Sequence, residues 1–213
     1  MKITKCEIQK RNGEKVSIFV DDKYSFSMTL NSFIEMRIKV GDVITEDKIS
    51  EIKTKDGPNL AFVQILMTLG YGEKTEHQMI KKLKEKGFDE NAINKSIAKA
   101  KELNYINDER YAEEYITKVA IPKKMGKQKI YTNLYQRGIE KEIIQNKIEE
   151  FYNEEDATDY IYEIAVQKCN SLKAKGNEPR QIQQKIYQFL LSKGYSYDIS
   201  SQVVRELQDN NIF

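Results

Sequence analysis

Tryptophan is absent from this chain, histidine occurs once and cysteine twice. Cys6 and Cys169 stand far apart without metal-ligand spacing, so neither a disulfide framework nor a zinc site organises the fold. Each reads as a reduced, half-buried small hydrophobe. His77 lies alone in a first helical turn and lacks the partners a metal would need. There is no apolar run of membrane-spanning length and no segment resembling a signal-peptide core, so a soluble cytoplasmic protein with no membrane partner is expected. Gly13-Glu14-Lys15-Val16-Ser17 lacks the spacing of a phosphate loop. Asp108-Glu109 and Glu113-Glu114 pair carboxylates only in appearance, because Asp108 reads as a helix cap and the glutamates favour the positive end of that helix. No catalytic residue, metal or cofactor is expected.

What the chain does have is repetition. Met79-Ile80-Lys81-Lys82-Leu83-Lys84-Glu85-Lys86-Gly87-Phe88 is echoed from Ile130 to Ile139 and again from Ile186 to Tyr195. Counted from Gly87, Gly138 and Gly194, an apolar residue stands eight before and a leucine four before. A basic residue precedes each glycine and a large apolar or aromatic one follows it. The glycines are 51 and then 56 residues apart, a regularity typical of stacked supersecondary units. Such units present long surfaces to other macromolecules and rarely enclose a reaction pocket.

Hydrophobic residues make up 39% of the chain and charged ones 32%, which suits slender helical layers with much wet surface. Residues 2 to 28 alternate apolar and polar as strands do, with Asn12-Gly13 as the expected hairpin turn and Asp21-Asp22-Lys23 as a second. Thr45 is a good N-cap for a helix through Ile49 and Ile52, and Lys55-Asp56-Gly57-Pro58 is expected to stop it. From Asn59 onward the pattern is helical. Thr75 and Gln78 form a capping box, and Gly87 suits a left-handed C-cap. The expected organisation is a β-hairpin/helix module over residues 1–56 and three-helix repeats over 57–106, 107–153 and 154–213. No single repeat buries enough surface alone, so neighbours must stack. The predicted class is mainly α, an elongated curved rod of three tandem three-helix repeats with a small β-rich (α+β) extension. The extension either caps the first repeat or adds a contact surface.

Net charge is only +2, but its distribution is uneven. From Tyr115 to Ile139 there is no acidic residue, while Lys118, Lys123, Lys124, Lys127, Lys129 and Arg137 all fall inside. This segment is the main candidate for contact with DNA phosphates or an acidic protein surface, aided by a helix N-terminus. The plainer alternative is a solvated loop with scattered lysines. Tyr131 and Tyr135, one helical turn apart beside those lysines, are candidates for partner contact, with core packing as the alternative. Lys81 and Lys82 form a further cationic pair, against the ordinary reading of a charged outer helix face.

These residues resemble the RecX regulatory-protein family, modulators of the bacterial RecA recombinase. The most recognisable stretch runs from Leu103-Asn104-Tyr105-Ile106-Asn107-Asp108-Glu109-Arg110-Tyr111-Ala112 to Tyr115-Ile116. It continues through Met125-Gly126-Lys127-Gln128-Lys129-Ile130, Leu134 and Arg137-Gly138-Ile139. Before the capping threonine the family often carries an arginine, where this chain has Lys74 and so a charge without the planar fork. The resemblance implies three tandem three-helix repeats and a non-enzymatic regulator of homologous recombination and DNA repair within the SOS response. Such a protein binds the RecA–DNA filament and inhibits its extension, ATPase and strand exchange. The partners it implies are the filament and, beside it, single- or double-stranded DNA, and a monomer is expected. The alternative is a helical-repeat protein that binds DNA directly without a recombinase.

Overall fold

The computed structural model describes residues 1–10 and 12–213, with side chains for all but Asn12 and residues 154–159. The chain opens with a three-stranded antiparallel sheet of order β1-β2-β3, built from β1 (Ile3–Gln9), β2 (Asn12–Val20) and β3 (Lys23–Thr29). Val16, Ile18, Phe26 and Met28 point inward and are at most 3% exposed. A register irregularity between Ile18 and Phe19 turns Tyr24 out of that pattern, edge-on to Phe19. Asp21 and Asp22 both have positive φ and make the turn between β2 and β3 as expected. The first reversal differs from expectation. Gln9 pairs with Asn12, which puts Asn12 and Gly13 on β2. The buried face decides this: the register that places Val16 and Ile18 inward overrides the turn preference of Asn-Gly.

After α1 (Leu30–Glu35) comes the main departure from the sequence reading. The helix capped by Thr45 does not stop at Lys55-Asp56-Gly57-Pro58 but runs unbroken as α2 (Glu46–Leu69), 24 residues long. A proline inside a helix removes a backbone bond and ordinarily destabilises it by about 3 kcal/mol. Tertiary contacts offset this. Asp56, 1% exposed, accepts hydrogen bonds from Thr29 N (2.6 Å), Thr29 Oγ1 (2.8 Å), Ser32 Oγ (2.5 Å) and Asn59 Nδ2 (3.2 Å). Gly57 lets the helix that carries Ala92 approach, since a Cβ there would already touch the Ala92 methyl at 3.4 Å. The first half of α2 packs Ile49 and Ile52 under the sheet, while the second half packs Ala61 and Ile65 into a separate core.

The remaining helices are α3 (Glu76–Glu85), α4 (Glu90–Glu102), α5 (Asp108–Tyr115), α6 (Lys127–Tyr135), α7 (Lys141–Phe151), α8 (Glu154–Lys173), α9 (Pro179–Lys193) and α10 (Tyr197–Asp209). The molecule is thus mainly α, three three-helix repeats behind a small sheet. The repeated glycine motif has a single physical cause. Gly87, Gly138 and Gly194 have φ of 81°, 82° and 92°, the left-handed region a side chain disfavours. In each case the following residue's N–H bonds back to the leucine four before the glycine: Phe88 to Leu83, Ile139 to Leu134, Tyr195 to Leu190. This is the Schellman closure of a helix. Those leucines, with Met79, Ile130 and Ile186 a turn earlier, are all 0% exposed. The Thr75–Gln78 capping box forms as expected.

Contacts gather the chain into two compact units, residues 1–107 and 108–213. In the second unit one core runs through both repeats, including Ile130, Leu134, Ile144, Ile161, Ile186 and Leu190. Among the described residues, no helix is long and apolar enough to cross a membrane.

Candidate partner-binding face

The acid-free segment folds as a sequence of unusual turns. α5 passes into a π-helical turn, Ile116–Ala120, in which Ile121 N–H reaches back to Ile116 O. Lys124 then adopts positive φ, and α6 begins at Gly126, which offers no side-chain cap. The cap comes from the third repeat instead. Gly126 N–H donates to the Lys193 carbonyl (2.9 Å) and Gln128 N–H to that of Gly194 (3.1 Å). The unpaired amides that open α6 thereby meet the unpaired carbonyls that close α9, a match of opposite partial charges. Two glycines permit it. A Cβ on Gly126 would overlap the Gly194 carbonyl, and one on Gly194 would overlap Lys129.

Several expected contact residues serve this joint. Lys129 Nζ donates to Ser192 O (2.9 Å), and Lys193 Nζ reaches Lys123 O (3.4 Å). Tyr195 Oη donates to Lys124 O (2.8 Å); burial, with Tyr160 nearby, pushes its phenol well above the usual tyrosine range. Lys124 Nζ pairs with Glu163 (3.3 Å) and lies near the Tyr160 ring. Arg137 turns inward: its Nε donates to Tyr111 Oη (3.2 Å), its Nη1 to Asn133 O (2.5 Å), and its guanidinium lies 4.8 Å from the Tyr115 ring centre. Lys118 pairs with Glu114 one turn earlier (2.9 Å). The start of α6 is likewise closed to an anion at Gln128, whose amide already has the Gly194 carbonyl.

What faces outward is narrower than the sequence suggests. Lys123 is exposed and Lys127 partly so. From Lys127, every fourth residue of α6 lies on one face, which brings Lys127, Tyr131 and Tyr135 into line, Tyr135 exposed and Tyr131 half-buried against the core. The two tyrosines are stacked, rings 11° from parallel with centres 6.1 Å apart. Lys141, which sequence reasoning missed, stands over Tyr135 at 5.8 Å. A second omission, Lys168, shares the ring of Phe189 with Lys193, at 5.4 and 5.7 Å. The signal for Lys193 was available, since it occupies the same basic position before the repeat glycine as Arg137. Lys81 and Lys82 are exposed on α3 of the first unit, with Lys82 paired to Glu85 (3.4 Å).

Residues 1–45 match the regulatory protein RecX N-terminal domain, and residues 61–99, 107–147 and 154–204 match the first, second and third three-helix domains of RecX. The chain is 36% identical over 205 residues to regulatory protein RecX of Clostridium botulinum strain Eklund 17B, covering 96% of this chain and 95% of the relative. The chain belongs to the RecX family. It is also 35% identical over 209 residues to regulatory protein RecX of Clostridium perfringens strain 13, covering 98% and 97%. A crystal structure of regulatory protein RecX has a TM-score of 0.68 at 28% identity, covering 95% of this chain and 98% of that one. RecX from Lactobacillus salivarius gives 0.64 at 28% identity, covering 72% and 98%. The RecX N-terminal match ends at residue 45 and the first three-helix match begins at 61, so the span between them lies within α2.

Proposed function

We propose that this chain is a non-catalytic cytoplasmic regulator of homologous recombination and DNA repair that binds the RecA–DNA filament. In this reading it opposes filament extension, ATP turnover and strand exchange, and acts as a monomer. The observation that carries it is the face of α6 on which Lys127, Tyr131 and Tyr135 align, beside Lys123 in a segment without acids, with Lys141 of α7 over the Tyr135 ring. Membership of a family of regulatory proteins supports the same reading. Ammonium groups around a flat aromatic pair suit a polyanionic or acidic partner surface, because the charges steer encounter and the rings supply contact area. Several weak contacts made along one partner add through effective concentration.

The test is the ATPase of the cognate recombinase on single-stranded DNA, titrated with this protein. Changing Lys123 and Lys141 together to glutamate is expected to raise the half-inhibitory concentration at least tenfold without altering the unfolding transition. Full potency in that variant would remove α6 from the proposed contact. Lys124 is left intact because its pairing with Glu163 belongs to the joint. The stacked tyrosines also favour a second reading, direct binding of single-stranded DNA, since base stacking on aromatics tolerates any sequence. Binding to naked DNA as tight as to the filament would favour this alternative.

A further inference from the structure

From Ile164 to Tyr197 the only acid is Glu178, while Lys168, Lys173, Lys175, Arg180, Lys185 and Lys193 all fall inside. Folding gathers part of this charge. Lys185, Phe189 and Lys193 stand four residues apart along α9 and therefore share one face. Lys168 reaches that face from α8, its Nζ 5.4 Å from the centre of the Phe189 ring, and Lys193 Nζ lies 5.7 Å from the same centre. Lys193 Nζ also meets the Lys123 carbonyl (3.4 Å), and Lys129 Nζ the Ser192 carbonyl (2.9 Å). A cationic strip thus runs along α9 and across the joint to the segment before α6.

These ammoniums lack counter-charges. Among the described residues, no carboxylate lies within ion-pair distance of Lys123, Lys129, Lys168, Lys185 or Lys193. Glu163 on α8 is committed to Lys124, and Lys185 Nζ donates to the neutral amide oxygen of Asn177. Two cations drawn to one ring repel each other, and an anion between them would relieve that repulsion. Cation–π attraction to the ring meanwhile holds both ammoniums in place, so less side-chain freedom is lost when a ligand arrives. Each turn of α9 advances about 5.4 Å, so Lys185, the Phe189 ring with Lys168 over it, and Lys193 set charge at successive turns. The matching partner carries anions at short, regular intervals with no cations between them. A nucleic-acid strand does so, with a phosphate at every residue. An acidic protein segment spaces its carboxylates by sequence and mixes them with other side chains.

We propose that the α8–α9 strip binds the phosphodiester backbone of DNA, with Lys168, Lys185 and Lys193 each meeting phosphate oxygens. The assignment goes beyond the α6 reading and stands apart from it. The experiment follows fluorescence anisotropy as the full chain is titrated onto a labelled single-stranded oligonucleotide, and onto the corresponding duplex, across sodium chloride concentrations. Wild-type affinity is expected to fall linearly with salt on logarithmic axes. A Lys168→Gln/Lys185→Gln variant is expected to bind about tenfold more weakly at low salt, with a slope shallower by about 1.4 on the single strand or about 1.8 on the duplex. The form of DNA that shows this change is the ligand. Lys168→Arg/Lys185→Arg is expected to keep both affinity and slope, and Lys193 stays unchanged because it also serves the joint. Lys185→Gln alone, at an exposed position, serves if the double variant is destabilised, with half that change in slope. Lost affinity with an unchanged slope would overturn the strip. So would wild-type DNA binding in a folded glutamine variant, and if that variant inhibited the recombinase ATPase less, the strip would belong to an acidic protein surface. Failure of the wild-type chain to bind either form of DNA would also overturn the strip and leave the filament reading standing.

Discussion

The first repeat and the joint between the second and third use one motif in two ways. Thr75 and Gly126 stand at the same distance before their repeat glycines, each opening the second helix of its repeat. Thr75 caps α3 from within, with Gln78 returning the bond. Gly126 caps nothing itself and receives its partners from α9. The closing glycines show the same split. Nothing lies within 4 Å of the position a Cβ on Gly87 would take, whereas one on Gly194 would overlap Lys129. Glycine at residue 87 serves conformation alone; at residue 194 it serves conformation and close approach together. Equal backbone geometry can therefore carry unequal energetic weight.

The sharpest way to break this comparison is to substitute the two glycines. Gly194→Val is expected to destabilise the second unit by about 4 kcal/mol, through backbone strain and displacement of α6. Gly87→Ala is expected to cost only about 1 kcal/mol. Urea unfolding of both variants checks the ratio, and equal losses would show that the joint adds nothing.

A polar counterpart of the joint lies in the first unit at Asp56. Asp56→Ala strands the Thr29 amide, two hydroxyls and an amide donor at or near a buried site, for an expected loss of about 3 kcal/mol. Protease cleavage rates across residues 29–35, compared with wild type, would locate that loss. Thr75→Ala is expected to cost as little as Gly87→Ala, about 1 kcal/mol from the helix cap, read from the urea midpoint. A loss at Thr75 as large as that at Gly194 would erase the distinction between a helix closed internally and one closed by its neighbour.

The features legible in the sequence are those set by short-range geometry. Gly87, Gly138 and Gly194 with their leucines disclosed three equivalent helix ends, because a left-handed residue and its returning bond span only a few positions. Thr45 and Thr75 disclosed two helix starts for the same reason. Continuity of α2 was hidden, since Gly57 and Pro58 are local breakers whose effect is offset by Ala92, Thr29 and Ser32, all distant in sequence. Asn12-Gly13 misled because the burial of Val16 and Ile18 fixes a register that a dipeptide cannot report. At the α6 face, charge pattern drew attention to the acid-free segment but could not sort its residues by surroundings. Lys129 and Arg137 look like Lys127 on paper, and only the approach of α9 and the ring of Tyr115 separate them.

α2 joins the sheet to the first repeat as one rigid shaft, and this has a consequence for how such chains can change length. Each residue added to a helix advances the remainder by about 100°. One residue inserted near Thr54 would thus turn Ile49 and Ile52 away from the phase that Ala61 and Ile65 require. Only additions close to whole turns would keep both ends engaged, so the shaft meters the spacing of its two loads in steps and not continuously.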